Sequence, residues 1–352
     1  MVHGDHPLNA ETPPRLLGEG FVTPAEAFYV RCHGGVPEVD PGSYRLEVSG
    51  LVGRPLRLSL EEIRAIPKTE VTATLYCAGN RRAELTEVEP IPGKVAWGVG
   101  AAGNARWGGV LQRDVLEEAG IGEGARHVAF TGLDRDVESG TGAPFGGSVP
   151  IERAVADGTL LAYEMNGRPL APEHGFPLRA VVGGYVGARS VKWLSGITLQ
   201  AEPSGNYYQA VEYKLFPPHV TAENADYSEG EMLGEIPLNC VILTPENGET
   251  VVPGPVPVRG YAVAGGDRGV VRVEVSADGG GSWTEASLLG DGGPGTWRLW
   301  EATLGLSPGS HRLVARAFDS GGGAQPASIG PVWNFLGYAN NAWHGVEVEV
   351  GG

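Results

Sequence analysis

The chain has 352 residues, 56 of them Gly and 27 Pro, with 41% hydrophobic residues. That share of turn formers excludes a helical bundle or coiled coil, while the apolar fraction suffices for globular cores and the length for two or three domains. The formal charge of −16, from 26 Lys and Arg against 42 Asp and Glu, opposes nucleic acid and anionic membrane as partners. An anion would have to be held in a local basic pocket.

Residues 1–25 are polar and proline-containing and read as an arm over the surface. Residues 44–48 alternate like a half-buried strand, and residues 60–66 (LEEIRAI) read as a short helix ended by Pro67. Residues 71–76 (VTATLY) are β-branched and aromatic, as a strand requires. Residues 110–119 (VLQRDVLEEA) predict an amphipathic helix stopped by Gly120. A strand over 127–131, a helix over 150–156, a strand over 160–165 and a closing segment over 191–199 complete the region. Short strands and helices without a regular βαβ repeat indicate an α+β domain.

The pattern changes near residue 230. From Ile236 onward no helix is expected, and short strands fall at 256–264, 270–276, 284–289, 297–303, 311–319 and 332–336. Between two of them, Ser276-Ala-Asp-Gly-Gly-Gly-Ser-Trp283 reads as a hairpin turn. Regular spacing of this kind indicates a β-sandwich of the immunoglobulin type. The division is an arm over 1–25, an α+β domain over 26–232 and an all-β domain over 233–352.

Cys32, Cys77 and Cys240 are too few for a disulfide framework or a four-cysteine zinc site. No basic-then-apolar leader opens the sequence and no run of 18 apolar residues occurs, so a cytoplasmic protein with no membrane span is expected.

Trp97-Gly-Val-Gly-Ala-Ala-Gly103 matches a dinucleotide fingerprint, but no helix start follows it. A flexible loop beside a site is the better reading. Asp134, Asp136 and Glu138 are spaced like the start of a calcium loop but lack its later ligands, so a solvated acidic loop is expected. Neither a zinc-protease helix nor a nucleophile elbow is present.

The run Cys77-Ala-Gly-Asn-Arg-Arg82 follows a strand, and Arg81 and Arg82 would favour a thiolate at Cys77. A thiolate is a nucleophile or a soft metal ligand, and a buried structural cysteine is the plain alternative. His174, Arg179, Arg189 and Lys192, with Arg31, His33, Arg82 and Arg106, make a dense set of donors suited to phosphate or another oxyanion. Surface ion pairing is the competing account.

These segments resemble the sulfite oxidase family of molybdenum enzymes. The likeness runs in order through Tyr29-Val-Arg-Cys-His33, Thr74-Leu-Tyr-Cys-Ala-Gly-Asn-Arg-Arg82, Ala105-Arg-Trp-Gly-Gly109 and Thr131-Gly-Leu-Asp134. It continues through Leu161-Ala-Tyr-Glu-Met-Asn-Gly167, His174-Gly-Phe-Pro-Leu-Arg179, Gly187-Ala-Arg-Ser-Val-Lys-Trp193, Glu212-Tyr-Lys214 and Asn340-Asn-Ala-Trp-His344. The resemblance implies an α+β molybdopterin-binding domain followed by an immunoglobulin-like domain that pairs two chains. It implies a molybdenum-molybdopterin cofactor, with Cys77 as the thiolate ligand of the metal. The pterin and its phosphate would lie among Tyr29, Val30, Arg31, Cys32, His33, Asp134, His174, Arg179, Ser190, Val191 and Lys192. Arg31 and Arg82 would border the substrate pocket, and Tyr213 would offer its hydroxyl beside the metal.

The implied chemistry is two-electron oxygen-atom transfer on a small oxyanion, first of all oxidation of sulfite to sulfate. The alternative keeps the cofactor and reduces nitrate or another oxo-compound, and a non-redox anion-binding protein is a third class. The chain departs from the family pattern at Cys32, where Asn is usual, at Leu336, where sulfite-oxidising members carry Arg, and at Gly345, where Arg is usual. The 25-residue arm is too short for a fused haem or flavin domain, so electrons are expected to pass to a separate acceptor, oxygen or a cytochrome.

Overall fold

A computed structural model of the chain describes residues 1–351. Two mixed-length sheets build the first half. One runs Arg168–Pro169, Thr159–Met165, Ala102–Leu111, Thr69–Tyr76, with Arg179–Val182 also paired to Thr159–Met165. The other runs Leu56–Ser59, Arg45–Gly50, Leu194–Gln200, His127–Gly132, Gly146–Pro150. Within it Leu194–Gln200 lies parallel to Arg45–Gly50, while the remaining pairs are antiparallel. One apolar core, including Leu46, Ile63, Val115, Phe130, Leu161 and Ile197, joins sheets and helices.

Local chemistry explains the short helices. Leu60–Ala65 opens on a capping box: Ser59 Oγ accepts from the Glu62 N–H at 3.2 Å, and the Glu62 carboxylate accepts from the Ser59 N–H at 2.7 Å. It ends where Ile66, before Pro67, takes an extended conformation. The helix expected over 110–119 spans Gln112–Ala119, because Val110 and Leu111 finish the strand before it.

The fingerprint-like glycines are not a flexible loop. They lie at the entry of the strand Ala102–Leu111 and make room for the N-terminal arm. A Cβ on Gly100 would sit 2.0 Å from the Thr12 carbonyl oxygen, and one on Gly103 would sit 2.5 Å from the Phe28 ring. The arm is therefore built into the fold rather than laid over it. Val2–Asp5 and Leu8–Ala10 form a hairpin that continues onto Val30–Arg31. Glu11, Thr12 and Leu17 are buried, and the Glu11 carboxylate accepts from the Gly100 N–H at 3.1 Å.

The second half is two packed sheets. One runs Asn239–Thr244, Gly254–Val263, Arg298–Leu306, Ser287–Leu289, and the other Glu249–Val251, His344–Val350, Gly309–Asp319, Val270–Ser276, Thr284–Glu285. Inward Val256 and Val258 alternate with outward Pro255, Pro257 and Arg259, the period-two pattern of a half-buried strand. Expected strands at 332–336 do not form. A single turn at Gly330–Val332 leads the chain back onto the first half, where Leu336 and Tyr338 join its core. Three strands of this half went unread, Asn239–Thr244, Glu249–Val251 and His344–Val350. Among the described residues, no helix is long and apolar enough to cross a membrane.

His344 faces the seam between the halves. Its Nδ1 accepts from the Ile242 N–H at 3.0 Å, and burial, opposed by Glu84, lowers its pKa from the usual 6.5 to about 4. The unfolded chain therefore binds a proton that the folded chain refuses across that window, and stability falls as pH drops through it. His344→Gln retains an acceptor for Ile242 and should remove roughly 2 kcal/mol of the stability loss between about pH 7 and pH 4.5. Denaturant midpoints at the two pH values check this, and an equally steep loss in the variant rejects it.

Candidate active site

Two adjoining cavities meet at Arg31, Cys77 and Tyr213, which line both. The first holds Tyr29, Cys32, His33, Asp134, His174, Arg179, Ser190 and Lys192 in its wall. The second is a recess that adds Arg82, Lys94, Trp97, Glu138, Glu212 and Tyr338.

The strand Thr69–Tyr76 delivers Cys77 to the junction, and the helix Arg82–Val88 starts five residues later. Gly79 permits this tight turn, since a Cβ there would lie 2.4 Å from the Arg82 guanidinium. Burial pushes the Cys77 thiol pKa up, while Arg82 and then Arg31 pull it back. Arg81 takes no part, contrary to the sequence expectation. Its left-handed backbone, φ 65°, turns the side chain away to Glu84, Asn239 and the Ala342 carbonyl.

A seat for molybdopterin must serve a ligand with amine donors at one end and a phosphate at the other. Asp134 Oδ1 is buried without a hydrogen-bond partner among the described residues, so the wall presents a free acceptor. Cations stand in the same wall. Lys192 Nζ donates to Cys32 Sγ at 3.1 Å and to the Glu173 carbonyl at 2.9 Å. Arg179 donates to the carbonyls of His174 and Ser190 at 2.9 and 3.0 Å and stacks on Trp107. Burial without a carboxylate partner lowers its pKa to about 10. Gly175, at φ 103°, lets the 174–179 turn press against Lys192. An unpaired carboxylate oxygen beside under-neutralised cations fits such a ligand.

The expected site residues divide between the cavity wall and the cores behind it. Val30 and Val191 sit in the apolar cores rather than in the cavity wall, while their neighbours Arg31, Ser190 and Lys192 line it. Arg106 is exposed on its strand, and Arg189 gives Nε and Nη2 to the Leu233 carbonyl, at 3.0 and 2.6 Å, and lines neither cavity; neither joins the donor set. Cys240 is buried in the core of the second half. The acidic loop is not solvated: Asp134 and Asp136 are buried, and Asp136 accepts from the Glu138 and Ser139 N–H groups and the Tyr208 hydroxyl.

In the recess, Arg82 donates to the Gly337 and Val95 carbonyls, both at 2.8 Å, with its guanidinium over the Tyr338 ring. Tyr213 shares a hydrogen bond of 2.8 Å with His33 Nε2. Burial, with Arg31 and Lys192, keeps His33 well below its usual pKa and so neutral. Leu336 is packed in the core and supplies no donor. Sequence reasoning missed Lys94, which pairs with Glu212, and Trp97, fully buried with an unpartnered Nε1. Lys94 was one of only four lysines, the signal that could have drawn notice to it.

Comparison with known proteins gives this geometry a family. The model described as "Oxidoreductase molybdopterin binding domain" matches residues 33–208, and "Mo-co oxidoreductase dimerisation domain" matches residues 231–351. Sulfite oxidase of Gallus gallus is 47% identical over 97% of this chain and 76% of its own length. Sulfite oxidase of Arabidopsis thaliana is 42% identical over 99% of this chain and 94% of its own length. The chain spans 65% of the length of mammalian relatives of the same name. The crystal structure of the sulfane dehydrogenase SoxCD from Paracoccus pantotrophus aligns with a TM-score of 0.84 at 26% identity, over 100% of this chain and 88% of that one. The chain belongs to the sulfite oxidase family of molybdopterin-dependent oxidoreductases.

Proposed function

We propose that the protein oxidises sulfite to sulfate, with water supplying the added oxygen overall and two electrons passing to a separate acceptor. The observation that carries this reading is the junction itself, where one buried thiol meets a recess holding Arg31, Arg82 and Lys94. The bound cofactor supplies the two-electron oxygen-transfer chemistry. In this reading Cys77 holds the metal through Sγ, and Asp134, His174, Arg179, Ser190 and Lys192 hold the pterin and its phosphate, with Tyr29, Cys32 and His33 along its edge. Val30 and Val191 take part only by packing behind that wall. Arg31 and Arg82 orient the oxyanion through charge-assisted hydrogen bonds, and the Tyr213 hydroxyl stands beside it.

The same proposal divides the chain into an arm over 1–25, a cofactor domain over 26–232 and an immunoglobulin-like domain over 233–352 that pairs two copies. The acceptor is oxygen or a cytochrome.

Sulfite-dependent reduction of a dye or cytochrome c by the molybdenum-loaded protein tests the reaction. Nitrate-dependent oxidation of a reduced dye, without sulfite turnover, would instead establish the oxo-compound reductase that the missing donor at Leu336 favours. Arg31→Gln should raise KM for sulfite by about ten- to a hundredfold, the value of a hydrogen bond to a charged group. An unchanged kcat/KM in that variant removes Arg31 from the oxyanion site.

A further inference from the structure

The oxyanion-facing side of Arg31 already has an anion on it. Nη1 and Nη2 donate to the two carboxylate oxygens of Glu138, each at 2.7 Å. The guanidinium is also fixed from behind, because Nη1 reaches Asn9 Oδ1 at 3.2 Å and the Cys32 carbonyl at 2.7 Å. Nη1 has two hydrogens for these three acceptors, so the Glu138 pair is not fully satisfied.

Apart from the pair with Arg31, Glu138 is anchored only through its backbone. Its N–H donates to Asp136 Oδ1 at 3.0 Å, and the preceding Val137 N–H donates to the His33 carbonyl at 3.0 Å. Asp136 is locked in turn by Ser139 and Tyr208. The Glu138 side chain is 33% exposed, against 18% for Arg31, so a rotamer change alone carries the carboxylate into solvent. The other carboxylate of the recess differs: Glu212 is 13% exposed and held by both Lys94 and the Tyr338 hydroxyl.

We propose that Glu138 is the resident counter-anion of the oxyanion site, which substrate must displace from Arg31 on entry, and that it thereby sets the site's affinity for anions. The proposal rests on the reading of the recess as the sulfite site. Binding is then an exchange: one carboxylate leaves Arg31 for water as one oxyanion arrives. Glu138 stabilises the empty site, disfavours weakly bound anions and speeds departure of sulfate by competing for the same guanidinium.

The test is isothermal titration of the holoenzyme with sulfate, alongside sulfite kinetics, at low and high salt. Glu138→Gln keeps the backbone anchors and the side-chain shape but weakens the competitor. Its Kd for sulfate and KM for sulfite should both fall by about fivefold, the upper range for a partly exposed ion pair. The fall should persist at high salt, where the long-range effect of one lost charge is screened. Glu138→Asp, too short to span both nitrogens from the same backbone, should fall in between. Arg31→Gln should weaken sulfate binding in the same measurement. Unchanged sulfate affinity in Glu138→Gln, or a gain that vanishes at high salt, overturns the counter-anion role while leaving the oxyanion site standing. Unchanged sulfate affinity and sulfite KM in Arg31→Gln overturns the site itself.

Discussion

Replacing Cys77 by alanine is expected to lower oxidoreductase turnover by more than about a hundredfold, beyond what loss of a residue merely supporting a metal site costs. The thiol is buried where the two cavities meet, with Arg82 and Arg31 as the cations acting on it. Burial alone raises its pKa and would leave an inert thiol. As a metal ligand the sulfur would have to be the thiolate, and Arg82 and Arg31 would stabilise that charge. Alanine removes one sulfur and no side-chain hydrogen bond of the fold, so the melting temperature should change little between the metal-free forms of variant and wild type. Serine keeps the volume but offers a hard oxygen, and should fail as alanine does. Metal analysis of the purified variants, beside Cys240→Ala as a control, separates the roles. Both Cys77 variants should lose molybdenum, and the Cys240 variant should keep it. A Cys77→Ala protein with full metal content and turnover would leave the sulfur a packing group.

What could be read in advance was whatever neighbouring residues decide among themselves. The run 60–66 with Pro67 behind it announces the helix Leu60–Ala65, and Asp278 with its glycines announces a hairpin that does pair Glu274 with Glu285. Strands carrying β-branched runs were equally plain. The strand Ala102–Leu111 was hidden by its glycines, whose purpose lies in Thr12 and Phe28, far away in sequence. The arm looked like a surface tail because its pairings to Gly100 and Val30 are non-local. Lys94 and Glu212 are 118 residues apart, so no spacing joins them. In the same way the segment after Val332 read as a strand of the sandwich, although its apolar residues serve the other core. Side-chain direction was the finest loss. Arg81 and Arg82 are adjacent and chemically identical, yet one left-handed residue sends them to opposite tasks.

That divergence gives the second large effect. Arg81→Ala should destabilise the protein by about 3 kcal/mol, the low end for breaking a buried ion pair, because Glu84 is still 24% exposed. Arg81 itself is fully buried. Its guanidinium meets the Glu84 carboxylate at 2.7 and 2.6 Å, Asn239 Oδ1 at 2.8 Å and the Ala342 carbonyl at 2.8 Å, so one side chain ties the helix after Cys77 to both ends of the second half. The Asn340 side chain closes the link by donating to the Arg81 carbonyl at 3.0 Å. Burial would raise the Glu84 pKa, but Arg81 overcomes it and the pKa ends below its usual value. The pair therefore stabilises the fold at neutral pH and loses that contribution as pH falls through the folded value. Arg81→Met with Glu84→Leu removes both charges and should recover more than half of the loss, since the deficit comes mainly from a stranded carboxylate. Turnover per folded molecule should stay near wild type in the double variant, because Arg81 does not reach either cavity. Denaturant melts and sulfite turnover on the same preparations decide the matter. A large fall in turnover without a fall in stability would place Arg81 with Arg82 at the site after all, and a loss below about 1 kcal/mol would mean that the seam is held by its apolar contacts alone.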